Sequence, residues 1–339
     1  MTDRSAAPAP RLPLVGWLGG WPISIGSLTL GLAALFVFRR GLPHVGWIVG
    51  YLLLLWLLSV LVAQLRAPLT ERGRGVVVSV GDYTIQSLYH NLLLFVLPAY
   101  YAAATVDAPN AVFPVLVAAG ALVTTLDPVY RRLVHPRPWL NHALLGLSVF
   151  AALNVALPLV GVRPILALEG SAVVAGLALA PAFRREGAAG WGGAHARALA
   201  VAVLALLLVW YGRALVPPAP LFLARAVAAH GVAELEPVEP AEDGVLDAAT
   251  VLAWGELAAY TAVYAPAGVR QPIAHVWWRE GERLAHVALP TPVMGGRRQG
   301  FRTYSRYTDL KPPVAGRYRV DVVTASGQLI GRLRFTVTP

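Results

Sequence analysis

The sequence predicts a polytopic α-helical membrane bundle, of about seven transmembrane helices, followed by an all-β domain built as a small antiparallel β-sandwich. Three observations predict it. Long apolar runs occupy residues 21–216 and stop there. The chain is 57% hydrophobic and only 14% charged, where soluble proteins average about 25% charged residues. From Thr250 onward apolar and polar residues alternate, the period of a sheet with one buried face.

A bilayer core of ~30 Å takes about 20 helical residues to cross. The runs that meet this are Trp21–Phe38, Val45–Gln64, Ile85–Thr105, Ala111–Leu126, Leu140–Val160, Ile165–Phe183 and Ala198–Val216, after a tail of residues 1–20. Arginine counts in alternate connections set the orientation. Arg4, Arg11, Arg66, Arg72, Arg74, Arg131, Arg132, Arg137, Arg184, Arg185 and Arg197 fall on one side, and Arg39, Arg40 and Arg163 on the other. The richer side is expected to be cytoplasmic. This places the N-terminus inside and the C-terminal domain outside the inner membrane, in the periplasm of a two-membrane bacterium. Arg39 and Arg40 sit against the trend, at a helix end from which long side chains snorkel to headgroups. Gly46 and Gly50 have the spacing of close helix packing.

Polar side chains inside spans are functional candidates. Gln86 and His90 share a helix face, next to Asn91. Asn154 and Glu169 fall at matching depths on the outer side of their helices, at ~1.5 Å per residue. His90, Asn91, Asn154 and Glu169 are therefore the intramembrane candidates for a transport or lipid-linked transferase site. The plainer reading of the His90 group is structural, because Asn, Gln and His also hold neighbouring helices together, and that of Glu169 is snorkelling to the outer interface near Arg163.

Residues 217–249 read as a Pro-rich junction and acidic linker. Pro217-Pro218-Ala219-Pro220 cannot continue a helix and stiffens the chain. Within 250–339 the strands expected are Val251–Tyr264, Ile273–Trp278, Leu284–Leu289, Phe301–Tyr307, Arg317–Thr324 and Leu329–Val337. The last two form a hairpin around Ser326-Gly327. Charge divides sharply here: residues 226–269 hold seven acids and no Lys or Arg, while 270–339 hold 12 Lys or Arg against 4 acids. Alternation groups Arg302, Tyr304 and Arg306 on one side of a strand, and His275, Trp277 and Arg279 on one side of another. These six are the candidate binding face, since Arg-aromatic surfaces recognise anionic groups, sugars and proteins. The plainer reading is a solvated sheet face covered by the acidic segment. One of Trp277 and Trp278 is expected in the core.

The net charge of +10 does not make a nucleic-acid surface, because the arginines of the first part lie between apolar runs. The chain has no cysteine, which removes disulfides and thiolate metal sites. No HExxH, GxSxG or P-loop pattern occurs. No cofactor, metal or catalytic residue is expected. The reading that follows is a non-enzymatic membrane protein whose β domain meets an envelope protein or an anionic glycan, with the bilayer as its other partner.

The stretches Thr261-Ala262-Val263-Tyr264-Ala265-Pro266-Ala267-Gly268, His275-Val276-Trp277, Phe301-Arg302-Thr303-Tyr304-Ser305, Gly316–Val322 and Gly327–Arg332 give the soluble part a family likeness. It resembles uncharacterised bacterial domains found at the C-termini of membrane proteins. The Pro-rich junction and Asn91–Tyr101, with Leu97-Pro98-Ala99-Tyr100-Tyr101, resemble the matching membrane module. The resemblance covers most of the chain and implies a bacterial envelope protein. It brings no established activity, so no catalytic residue is transferred.

Overall fold

The computed structural model describes residues 45–185, 190–241 and 243–339. The expected span Trp21–Phe38 lies outside them. The helical part comprises α1 (Val45–Glu71), α2 (Gly75–Ala103), α3 (Val112–Thr125), α4 (Asp127–Leu133), α5 (Pro138–Leu159), α6 (Pro164–Leu177), α7 (Ala180–Arg185) and α8 (Gly190–Gly212). Proline stands in the first turn of α4, α5 and α6, where its missing N–H costs nothing and its fixed φ suits the helix. The helices share one core, with Leu92, Leu93, Tyr100, Val117, Ala151, Val155 and Leu168 fully or almost fully buried. Tyr100, Phe113 and Phe150 run through it edge to face, with ring centroids 4.8 and 5.5 Å apart.

Seven spans are not what the described residues hold. Three helices there are long and apolar enough to cross a membrane: Pro138–Leu159, Pro164–Arg184 and Gly190–Leu215. These correspond to the last three expected spans. The expected span Ala111–Leu126 is instead two helices, Pro109–Thr125 and Asp127–Leu133, bent by 100° at the break. Counted as one broken span, the pair raises the number to four. Within its first limb the α-helical stretch, α3, has 14 residues and reaches only about 21 Å. Helix α2 has 29 residues, but Asp82, Gln86, His90 and Asn91 dilute its apolar character. At Gly50 nothing among the described residues approaches within 4 Å of where a Cβ would stand.

The second part is all-β apart from one short helix, and it begins earlier than expected. Residues read as an acidic linker form β1 (Phe222–Ala233), β2 (Glu236–Pro240) and β3 (Val245–Asp247). Then come α9 (Ala248–Trp254), β4 (Leu257–Tyr264), β5 (Arg270–Gln271), β6 (Ile273–Arg279), β7 (Glu282–Ala288), β8 (Val293–Met294), β9 (Phe301–Tyr307), β10 (Gly316–Thr324) and β11 (Leu329–Thr338). The expected strand Val251–Tyr264 therefore divides into a helix and a strand. Asp247 Oδ2 accepts from Thr250 N at 3.0 Å to cap α9, and Gly255 at φ 72° ends it, as caps of these types do.

One sheet has the order β2-β1-β4-β9 and the other β3-β11-β10-β6-β7, with β5 and β8 forming a small ladder. All pairings are antiparallel except β3 with β11. Ala228, Leu257 and Ala259 of the first sheet pack with Trp277, Val320, Leu333 and Phe335 of the second. The interior between two facing sheets is the defining feature of a sandwich.

Candidate functional site

The β10–β11 hairpin is the element that fixes the two parts together. Its tip lies on two connections of the helical part, the segment that follows α8 and the α2–α3 connection. Arg213 Nε donates to Ser326 O at 2.7 Å, Gln328 Nε2 to Val216 O at 3.1 Å, and Asn110 Nδ2 to Leu329 O at 3.1 Å. Further along β11, Arg332 Nη1 reaches Asp107 Oδ2 at 2.9 Å, and Arg334 pairs with the same carboxylate. The loop at Gly161 abuts the loop at Gly268. All these contacts lie at the C-terminal ends of α2, α5 and α8. The turns bearing Arg72 and Arg74, Arg131, Arg132 and Arg137 lie at the other end of the bundle.

The six residues expected on one binding face are divided. His275 and Trp277 are fully buried between the sheets, because the alternation of β6 turns them inward. Trp277 is thus the core tryptophan, and Trp278 points outward. Arg279 ends the strand and donates Nη1 to Pro313 O at 2.8 Å. Arg302, Tyr304 and Arg306 do share the outer side of β9, on the other sheet.

That β9 surface is largely neutralised by the acidic segment. Arg302 Nη1 lies 2.7 Å from Glu236 Oε1, Arg225 Nη1 lies 3.7 Å from Glu236 Oε2, and Arg306 Nη1 lies 3.7 Å from Glu256 Oε1. Tyr260 lies beneath this layer, with the Arg225 guanidinium 5.7 Å from its ring centroid. Burial, with Glu236 beside it, raises its hydroxyl above the ordinary tyrosine value.

Inside the sandwich His275 belongs to a polar knot. Its Nε2 is 3.1 Å from Thr261 Oγ1 and its Nδ1 is 2.8 Å from Ser305 Oγ. Trp277 Nε1 donates to the same Ser305 oxygen at 2.9 Å, and Thr261 and Thr303 hydroxyls meet at 2.7 Å. Burial lowers the His275 pKa from 6.5 to about 4, so the ring is neutral at physiological pH. The knot joins β6 to β4 and β9 across the interior, and no reactant reaches it without opening the sandwich.

The intramembrane candidates do not converge either. Asn154 Nδ2 donates to Tyr100 Oη at 3.0 Å, and Tyr100 Oη donates to Ala151 O at 3.0 Å. Glu169, on α6, is half-buried and not part of that pair. His90 Nδ1 lies 2.5 Å from Thr125 Oγ1, and Gln86 Nε2 donates to Asp127 Oδ1 at 2.7 Å and to Thr124 O at 3.0 Å. Asn91, beside His90, is half-buried. The polar contacts of α2 thus brace the α3–α4 bend. Among the described residues no group of three or more His, Asp or Glu side chains is placed to hold a metal ion.

Membrane-length helices joined to a docked, mostly antiparallel β-sandwich define the class of this protein. The chain belongs to a family of unknown function (DUF5924), whose model matches residues 19–258. Residues 270–337 match a second model, described as a protein of unknown function (DUF2914). The first match takes in β1 to β3 and α9, and the second β6 to β10 and nearly all of β11. Neither match alone spans the sandwich, and most of β4 falls between them. No curated protein matches the chain.

Proposed function

We propose that this chain is a non-enzymatic protein of the bacterial inner membrane that holds its β-sandwich on the extracytoplasmic side to bind an envelope protein or an anionic glycan. The observation that carries this reading is the joint. Five hydrogen-bonded or ionic contacts from one hairpin fix the sandwich to one end of the helices and leave the outer side of β9 free of them. Exposed aromatics support membrane insertion: Tyr101, Trp210 and Tyr211 mark the end nearest the sandwich, and Trp139 and Trp191 the other. Such rings favour the membrane–water interface. The arginine-rich turns at the far end support a cytoplasmic placement of that end. The β9 surface with Arg302, Tyr304 and Arg306 is one candidate contact.

Paired C-terminal fusions test the orientation. Active alkaline phosphatase with a dark green fluorescent protein is expected after Pro339, and the reverse pattern would move the sandwich into the cytoplasm and end the envelope reading. Capture of envelope partners by the full chain, compared with an Arg302→Ala and Arg306→Ala variant, tests the β9 surface. A second reading, transport or lipid-linked transfer between helices, has the buried Gln86–Asp127 contact at the bend in its favour. Full cellular activity in a chain lacking residues 221–339 would favour it.

A further inference from the structure

The outer face of the five-stranded sheet carries a row of side chains across four strands. Arg283 on β7 is the register partner of Trp278 on β6, Trp278 that of Arg319 on β10, and Arg319 that of Arg334 on β11. Strands lie ~4.8 Å apart, so the row runs about 14 Å. The neighbouring row places Asp321 beside Arg332. The pleat that buries Trp277 turns Trp278 to this side.

Cationic charge on this face exceeds what the chain neutralises. Arg319 and Arg334 are directly opposed, an arrangement of like charges that antiparallel pairs disfavour. Asp321 serves both Arg332 and Arg319, at 2.5 and 3.3 Å. Asp107 serves both Arg332 and Arg334. Two carboxylates therefore answer three guanidiniums, and a fourth, that of the exposed Arg283, makes no ion pair among the described residues. Two donors at the centre of the row, Trp278 Nε1 and Arg319 Nε, are buried without an aligned hydrogen-bond acceptor among the described residues. The Arg319 guanidinium lies 4.5 Å from the Trp278 ring centroid. The β9 surface differs, because Arg302 and Arg306 each have a glutamate partner.

We propose that this row binds an acidic polysaccharide chain laid across β7, β6, β10 and β11. Carboxylate groups of the chain meet Arg283, Arg319 and Arg334, and a sugar ring lies against the amphipathic Trp278–Arg319 pair. A single phosphate engages one or two guanidiniums, whereas a row of this length matches an extended ligand. The proposal rests on the reading that the sandwich meets envelope partners, and names the surface and the ligand class.

The test titrates the full chain, in phosphatidylcholine nanodiscs, with an oligogalacturonate and with an uncharged cello-oligosaccharide of equal length. Saturable, salt-sensitive binding of the acidic chain alone is expected. Arg283→Ala should weaken it about tenfold, the loss of one charge-assisted contact, with unchanged melting because Arg283 is exposed and unpaired. Adding Arg319→Ala should weaken it further. Equal binding of the neutral chain, absence of binding, or indifference to Arg283→Glu overturns the row. Binding lost in the Arg302→Ala and Arg306→Ala variant but kept in Arg283→Glu overturns the row and leaves the broader reading standing. Association that depends on Arg283 only with phosphatidylglycerol discs, and not with carbohydrate, makes lipid the ligand and overturns the polysaccharide assignment.

Discussion

Arg332 on β11 and Asp107 in the α2–α3 connection are joined across the boundary between the two parts, Nη1 to Oδ2 at 2.9 Å. The same guanidinium holds Asp321 at 2.5 Å, and both of those side chains are about nine-tenths buried, with 9% and 11% exposure. The two carboxylates are therefore not equivalent. Arg332→Ala leaves Asp321 buried without its strongest cation and should cost about 3 kcal/mol. Asp107 is 47% exposed, and Asp107→Ala should cost at most about 1 kcal/mol. Thermal melting of the full chain in detergent separates the two, and equal losses would contradict the asymmetry. Limited proteolysis near Pro217–Leu221 should accelerate in both variants if the joint loosens.

The buried His275 predicts a pH dependence with a definite sign. Its folded pKa is about 4 against an ordinary 6.5. Between those values the unfolded chain binds a proton that the folded chain refuses. The stability contributed by the neutral ring is complete above about pH 6.5 and is lost as pH falls towards and through 4. Fully protonated, the loss approaches about 3 kcal/mol. The melting temperature should fall over that window, and His275→Gln should be less stable at pH 7 but flatter below pH 6.5. An unchanged slope in His275→Gln would assign the acid sensitivity to other groups.

Period and turn chemistry made much of the β part legible. Phe301–Tyr307 is β9 residue for residue, and the Ser326-Gly327 hairpin joins β10 to β11. The acids Glu236, Glu239 and Asp247 hid β2 and β3, which read as a linker when charge is weighed before alternation, and β1 carries no acid but adjoins the Pro-rich junction. Helix α9 was signalled by Asp247 three residues before Thr250 and by Gly255, a cap at each end of a short apolar stretch. His275 and Trp277 lie inward while Arg302, Tyr304 and Arg306 lie outward, because alternation assigns residues to a side without saying which side is interior. The same alternation, read with Leu333 and Phe335 inward, places Arg332 and Arg334 outward. In the helical part hydropathy alone could not show the 100° bend at Leu126, because only Thr124 and Thr125 interrupt the apolar run before Asp127.

Helix contact at Gly176 offers a direct test of packing. A Cβ on Gly176 of α6 would fall within the contact distance of Ala202 Cα and N on α8. Small residues of this kind let helix backbones approach closely in membranes. Gly176→Ala must push α6 from α8 and should cost roughly 1–3 kcal/mol. The atoms it strikes include backbone, so Ala202→Gly in the same chain should restore little. Full rescue by Ala202→Gly would show that the side chain alone sets the spacing.

The Asn154–Tyr100 pair decides whether the buried polar groups between helices are structural. Asn154 Nδ2 donates to Tyr100 Oη, which donates onward to Ala151 O. Interhelical bonds of this type average ~0.6 kcal/mol in double-mutant cycles. Tyr100→Phe and Asn154→Leu should each lower the melting temperature, and the double variant should lose less than the two losses combined, with a coupling of about 0.6 kcal/mol. A structural pair predicts that cellular function follows stability across all three variants. Function lost in Asn154→Leu with melting preserved would mean that the amide meets a ligand in the membrane, and would shift the balance from a recognition protein towards one that works between its helices.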